Sequence, residues 1–154
     1  MSIESRPRRN PDHALSPDDP AVAAFWAQRH LCTLTTLQAD GRPHVVPVGA
    51  TLDAEHGLVR VIASRTSLKV RHIEAAAPEG APVAVCQVDG RRWTTVEGTA
   101  LVSAAPADVA EAERRYEARY RKPHPNPERV VVLIRIDRIL GNTRPTPRPL
   151  TVAG

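Results

Sequence analysis

Aromatic residues make up only 3% of this 154-residue chain: two Trp, two Tyr and one Phe. So few rings leave little for unpaired bases to stack on, which argues against single-strand nucleic-acid binding. They also require a core built from Val, Leu, Ile and Ala. Cysteine is equally scarce. Cys32 and Cys86 stand far apart and outside any Cys-x-x-Cys spacing, which excludes a disulfide framework and predicts two buried thiols in a reducing compartment. No run of about 20 apolar residues exists, so no helical membrane span is expected. The opening MSIESRPRRNPDH has no apolar signal-peptide core, and the chain reads as a cytoplasmic protein. Lysine is nearly absent, with Lys69 and Lys122 alone. The net charge of +4 and the pI near 9.7 therefore rest on arginine, the side chain suited to bidentate contact with phosphate and carboxylate.

The usual catalytic signatures are missing too. There is no G-x-S-x-G elbow, Walker loop, H-E-x-x-H or G-x-G-x-x-G. The six histidines are scattered without metal-ligand spacing, and Glu97 on a strand has no partner carboxylate for paired-acid hydrolysis. The side chains alone do not announce an enzyme.

What is present is a succession of short Val-rich strands. Leu31 to Leu52 reads as two arms joined at Asp40-Gly41, a strong hairpin signal because Gly accepts positive φ. Pro47 interrupts the second arm and Gly49 follows two residues later. Such a strand belongs at a sheet edge or beside a gap, where a flat ligand can approach the backbone. Before it, Asp18-Asp19-Pro20 opens a helix with Val22, Phe25 and Trp26 on its apolar face. Strands follow over Leu58 to Ser64, Val83 to Asp89, Arg92 to Val102 and Arg129 to Leu140. Helices are predicted over Leu68 to Ala77, capped by Ser67, and over Pro106 to Arg121. Residues 1–16 read as a disordered tail, 17–142 as one domain, and 143–154 as a Pro-rich tail. Six strands with peripheral helices predict a mainly β fold, a small antiparallel barrel whose closure removes exposed edges.

Two places suit an anion. Ser64 to Arg71 combines hydroxyls and cations after a strand, with Arg91, Arg92 and Trp93 at the next hairpin as further contacts; an ordinary helix with a solvated basic face is the competing reading. Arg119 and Arg129 flank the Pro-rich KPHPNPE turn, within a second basic cluster in which other arginines face water opposite Glu111, Glu113 and Glu117. His44, on a strand, reads as a hydrogen-bonded structural residue.

Taken together, Arg29-His30-Leu31, Leu34-Thr35-Thr36-Leu37, Pro43-His44-Val45-Val46, Gln87-Val88-Asp89-Gly90, Arg92-Trp93 and Glu97-Gly98 resemble the split-β-barrel flavin and deazaflavin oxidoreductases. These are relatives of pyridoxamine 5'-phosphate oxidase. The stretch from Arg119-Tyr120-Arg121 through Pro125-Asn126-Pro127 to Arg129-Val130-Val131 is similar to the actinobacterial biliverdin reductases that use reduced coenzyme F420. The resemblance implies a six-stranded split barrel and a homodimer with the cofactor between subunits. It implies that the backbone of His44, Val45, Val46, Pro47 and Val48 carries the ring. Ile62, Ala63, Ser64, Arg65, Thr66, Ser67 and Lys69 would hold the ribityl-phosphate arm, with Gln87 and Trp93 completing the pocket. Arg119 and Arg129 would meet the propionates of biliverdin, the implied hydride acceptor, and no metal is called for. An FMN-dependent oxidoreductase is the alternative within the fold; a non-catalytic binder of F420, heme or a tetrapyrrole is the alternative outside enzymology. Nucleic acid and membrane are not expected partners. Arg65-Thr66 stand where the resemblance calls for a small Gly-rich turn, and Pro78 to Pro82 look inserted.

Overall fold

A computed structural model describes residues 14–144. Strand β1 (Ala14–Leu15) precedes helix α1 (Pro20–Ala27), and the hairpin β2 (Cys32–Leu37) and β3 (Pro43–Val48) follows. Next come β4 (Ala50–Asp53), β5 (Leu58–Ser64), α2 (Leu68–Glu74), β6 (Ala81–Asp89) and β7 (Arg92–Ser103). Helix α3 (Pro106–Arg119) and the long β8 (Arg129–Asn142) complete the described chain. All pairings are antiparallel, in the order β3-β2-β6-β7-β8-β5-β4, with β1 on β8.

That order fixes the shape. β3 and β4 lie at opposite ends of the path, yet only Gly49 separates them in sequence. The two ends of the sheet must therefore meet, so the sheet curls into a split barrel with its seam at Gly49. The expectation of an edge strand around Pro47 holds: Pro47 pairs with Thr33 on β2 alone, and its missing N–H faces no further strand.

Inside the curl, strand alternation gathers the core. Val59, Val61 and Ala63 of β5 point inward, as do Val83 and Val85 of β6 and Val96 and Ala100 of β7. Val130, Val131 and Val132 are all buried, as the unbroken apolar start of β8 predicts. Val70 and Ile73 bring α2 onto this core, and Val22 and Trp26 do the same for α1. Asp19 caps α1, accepting from the Ala21 N–H at 2.9 Å, with Pro20 in the first helical position.

Four expectations need correction. The second arm, read as one interrupted strand as far as Leu52, is two strands that part at Gly49, because the chain changes sheet ends. The Asp40-Gly41 signal makes a three-residue loop rather than a two-residue turn. Gln38 N–H donates to Arg42 O, Gly41 N–H donates to Gln38 O, and Gly41 takes φ of +86°, the turn-plus-bulge geometry. Ser67 sits at the α2 cap position, but its hydroxyl donates to the Ser64 carbonyl at 2.8 Å instead of capping the helix. The N-terminal tail is shorter than expected, because Ala14 and Leu15 pair with Leu140 and Ile139. The rest of that tail, and residues 145–154, lie outside the described residues. Among the described residues no helix is long and apolar enough to cross a membrane.

Candidate functional site: a cationic groove at the seam

Where the barrel ends meet, β5 turns Ile62 and Ser64 outward while Val59, Val61 and Ala63 face in. Pro47, Val48 and Gly49 form one wall beside them, Lys69 enters from the first turn of α2, and Tyr116 from α3. Asn126 and Arg129 close the far side. The result is a groove of about 310 Å³.

Its polar groups are placed by short bonds. Asn126 Nδ2 donates to Ser64 Oγ at 2.8 Å, while Asn126 Oδ1 accepts from the Glu128 N–H at 2.9 Å. The turn made by Pro125-Asn126-Pro127 thus aims one amide at β5. Arg129 Nη2 donates to the His124 carbonyl at 2.8 Å, and Nη1 lies 3.6 Å from Glu113. Lys69 differs. No hydrogen bond or ion pair ties its ammonium to any described residue, and burial pushes its pKa down. A half-buried cation with no counter-charge costs solvation energy. An anionic ligand would remove that cost.

The groove gathers Pro47, Val48, Ile62, Ala63, Ser64, Lys69 and Arg129 from the residues singled out in sequence. It does not gather the others. His44 packs edge-on against His72, ring centroids 5.1 Å apart, and Val46 packs on the core. Val45 is exposed on the outer face of β3. Arg65 and Thr66 face solvent, with the Arg65 N–H donating to Glu128 O. Trp93 lies in register with Val88 and Asn142 and is not among the residues that line the groove. Arg92 pairs with Asp89 and stacks on Phe25.

Gln87 and Arg119 require a correction: both are buried and bonded to each other, not turned to a ligand. Arg119 Nη2 donates to Gln87 Oε1 at 2.6 Å, Nη1 to Ala50 O at 2.6 Å, and Nε to Gln28 O at 3.0 Å. Its guanidinium also stacks on Trp26 and Tyr120. Tyr120 adds its hydroxyl, which donates to His30 O at 2.7 Å and accepts from Ala50 N at 3.1 Å. Burial raises the pKa of Tyr120, with Cys32 beside it adding to the effect, so the phenol stays protonated. Burial likewise raises that of Cys32, against the pull of Arg119. Arg119 and Tyr120 together fasten α3 to the seam.

Three groove residues went unassigned in the sequence: Gly49, Tyr116 and Asn126. Gly49 did carry a signal as a bare position beside Pro47. Asn126 carried one as an Asn between two prolines, a typical side-chain-stabilised turn. Tyr116 looked like any helix-stripe residue.

Residues 18–142 match the pyridoxamine 5'-phosphate oxidase family model. The chain belongs to this family. It is accordingly an oxidoreductase, and the split barrel around Gly49 is the family's fold. The chain is 45% identical over 119 residues to an F420H2-dependent biliverdin reductase from Mycobacterium tuberculosis, covering 77% of this chain and 84% of that one. Among solved structures it is similar to an F420 reductase, with TM-score 0.61, 20% identity, 79% of this chain and 95% of that one covered. It is also similar to a conserved hypothetical protein from Mycobacterium tuberculosis, with TM-score 0.68, 21% identity and 89% of each chain covered. At those identities the two structures speak to the fold alone.

Proposed function

We propose that the seam groove holds the phosphate-bearing arm of reduced coenzyme F420, and that the enzyme reduces a conjugated acceptor, biliverdin to bilirubin in the first instance. The observation that carries this reading is Lys69, a half-buried ammonium with no partner among the described residues, beside Ser64, Asn126 and Arg129. The 45% identical relative supports the choice of F420 and of biliverdin. F420, when bound, supplies the hydride.

The chain's own part is to bind and orient. Lys69 and Arg129 offset phosphate charge, and Ser64 and Asn126 offer hydroxyl and amide contacts to its oxygens. Pro47, Val48 and Gly49 give that wall no charged side chain, so a flat ring can lie against it. Orientation and exclusion of water are then the main sources of rate. The proton that completes the reduction comes from solvent.

About 310 Å³ is at the small end of ligand sites, which run from about 300 to 1,000 Å³. One copy therefore cups part of a tricyclic cofactor with a phosphate arm, and a second copy would cover the remainder. The outer face of β3, β2 and β6 suits that pairing. Pro43, Val45, Pro47, Thr33, Thr35, Leu37, Pro82, Ala84, Cys86 and Val88 face outward there, with no Asp, Glu, Lys or Arg among them. Leu37, Val45 and Val88 are well exposed in the single chain, and an uncharged patch of this extent marks an interface. The face supports a homodimer.

FMN remains the second reading, because the matched family is that of pyridoxamine 5'-phosphate oxidase. Parallel titrations with F420 and FMN decide between them, followed by mixing the reduced cofactor with biliverdin. The expected result is saturable F420 binding and oxidation of its reduced form only when biliverdin is present. Tight FMN binding with no F420 binding would transfer the groove to flavin chemistry. Binding without turnover would leave a carrier rather than an enzyme acting on biliverdin.

A further inference from the structure

A second cleft, of about 330 Å³, opens between the end of α1, the edge strand β4 and a different face of α3. Trp26, Leu52, Arg114, Arg115 and Arg119 border it. It shares no lining residue with the seam groove.

Three features there lack a partner. The Trp26 side chain is only 4% exposed, and its indole N–H has no acceptor among the described residues. A buried donor left unpaired costs about 1–3 kcal/mol. Arg119 is buried, and no carboxylate of the described residues contacts it. Its hydrogen bonds engage four of the five N–H groups a guanidinium has, leaving one on Nη2. The third feature is backbone. β4 ends the sheet, and the Ala50 N–H and C=O turn to Tyr120 and Arg119 instead of β5. Alternation in an antiparallel ladder directs the Leu52 N–H and C=O the same way. No side chain or loop group hydrogen-bonds to either among the described residues.

Charge points in the same direction. Arg114 and Arg115 share Glu111, and Arg115 also reaches Asp53 at 3.2 Å. Asp53 is already bonded to Arg60 and His56. Two carboxylates, Asp53 and Glu111, thus serve three guanidiniums, those of Arg60, Arg114 and Arg115, and neither contacts Arg119 beside them.

We infer that this cleft is a binding site for a small oxyanion, a carboxylate or a phosphate. Its oxygens accept from the spare Arg119 N–H and the Leu52 amide beside the Trp26 indole, and its charge offsets the guanidinium excess. The inference does not depend on what the seam groove binds.

The test reads Trp26 directly. The full-length protein, labelled with ¹⁵N, gives two indole N–H resonances, and Trp26→Phe identifies one of them. Sodium phosphate and sodium acetate are titrated separately, with ionic strength held constant by chloride. The expected result is a saturating shift of the Trp26 indole resonance, with a dissociation constant of about 1 mM or tighter. Saturation with phosphate alone assigns a phosphate site, with acetate alone a carboxylate site, and with both a general oxyanion site. Arg114→Gln, a change at an exposed side chain, should weaken the saturating curve several-fold. No saturable shift up to about 50 mM of either anion, a shift that chloride reproduces, or a curve unchanged in Arg114→Gln would overturn the inference.

Discussion

The ring edge of Tyr116 occupies the space that a side chain at position 49 would need. A Cβ on Gly49 would lie 2.5 Å from Tyr116 Cε2 and 3.1 Å from Tyr120 Cε2. Gly49 has no positive φ to satisfy, so the requirement is steric: the residue joining the two sheet ends must let α3 close over it.

Gly49→Ala should therefore cost about 1–3 kcal/mol, the usual penalty for overpacking a site that cannot expand. Urea unfolding would read it. Combining the change with Tyr116→Ala should give a smaller loss than the sum of the two single losses, because the second substitution removes the group that the new methyl strikes. Strict additivity would mean that Tyr116 does not press on the seam.

Arg119 makes a different prediction from a substrate-binding arginine. Removing a solvent-facing cation from a pocket leaves stability nearly unchanged. Arg119→Met would instead leave Gln28 O, Ala50 O and Gln87 Oε1 without their donor, at about 1–3 kcal/mol for each buried acceptor. A total loss of about 3 kcal/mol or more is expected, near 10 °C in Tm for a chain this long. Arg119→Lys keeps the charge but not the planar fork and should fall between the two. A variant with wild-type Tm and impaired turnover would return Arg119 to the substrate.

Asp53 sets the acid limit of the seam. Burial opposes its ionisation, but Arg60 at 2.7 Å, His56 at 2.8 Å and Arg115 at 3.2 Å outweigh it and hold the pKa at about 2. With the folded value depressed below the unfolded one, the contribution is complete above about pH 4 and disappears as the pH falls toward 2. It amounts to about 2 kcal/mol. Asp53→Asn should be destabilised by roughly that amount at pH 7. The two proteins should converge as the solution is acidified, which urea midpoints measured down to pH 3 would follow.

The strands were readable in the sequence because burial and alternation leave local traces. β5 alternates strictly, β8 begins with consecutive buried valines, and Asp19-Pro20 starts α1 with its own cap. The seam was readable only in outline. Pro47 and Gly49 marked an interruption, but whether the chain bends or changes sheet ends depends on what pairs with Ala50, and that partner, Val61, is local only after folding. The basic residues were the hardest to place. Arg119 and Arg129 flank the same Pro-rich turn and have the same chemistry, yet one helix rotation sends Arg119 into the core while Arg129 enters the groove. Nothing within a few residues of either distinguishes those fates. Lys69 stood out as part of the hydroxyl-and-cation stretch from Ser64 to Arg71, and its place on the cofactor arm came from the family resemblance.

Lys69 also gives the sharpest test of the groove, because stability and binding should respond to it with opposite sign. Its pKa is lowered by burial, so the unfolded chain holds the proton to higher pH than the folded one. Stability of the free protein should then rise with pH across the interval between the lowered value and that of an ordinary lysine. Binding of an anionic arm needs the ammonium, so affinity should fall across the same interval. Lys69→Met removes both trends. It should weaken F420 binding by about 10–100-fold, the value of one charge-assisted hydrogen bond, while leaving Tm unchanged or slightly higher. Lys69→Arg keeps a charge that does not titrate, and should retain most of the affinity with a flat pH profile. Fluorescence titration of F420 from pH 7 to 10, paired with thermal melts of the free proteins, measures both trends. Parallel losses of Tm and affinity in Lys69→Met would show a lysine that holds the fold rather than the ligand.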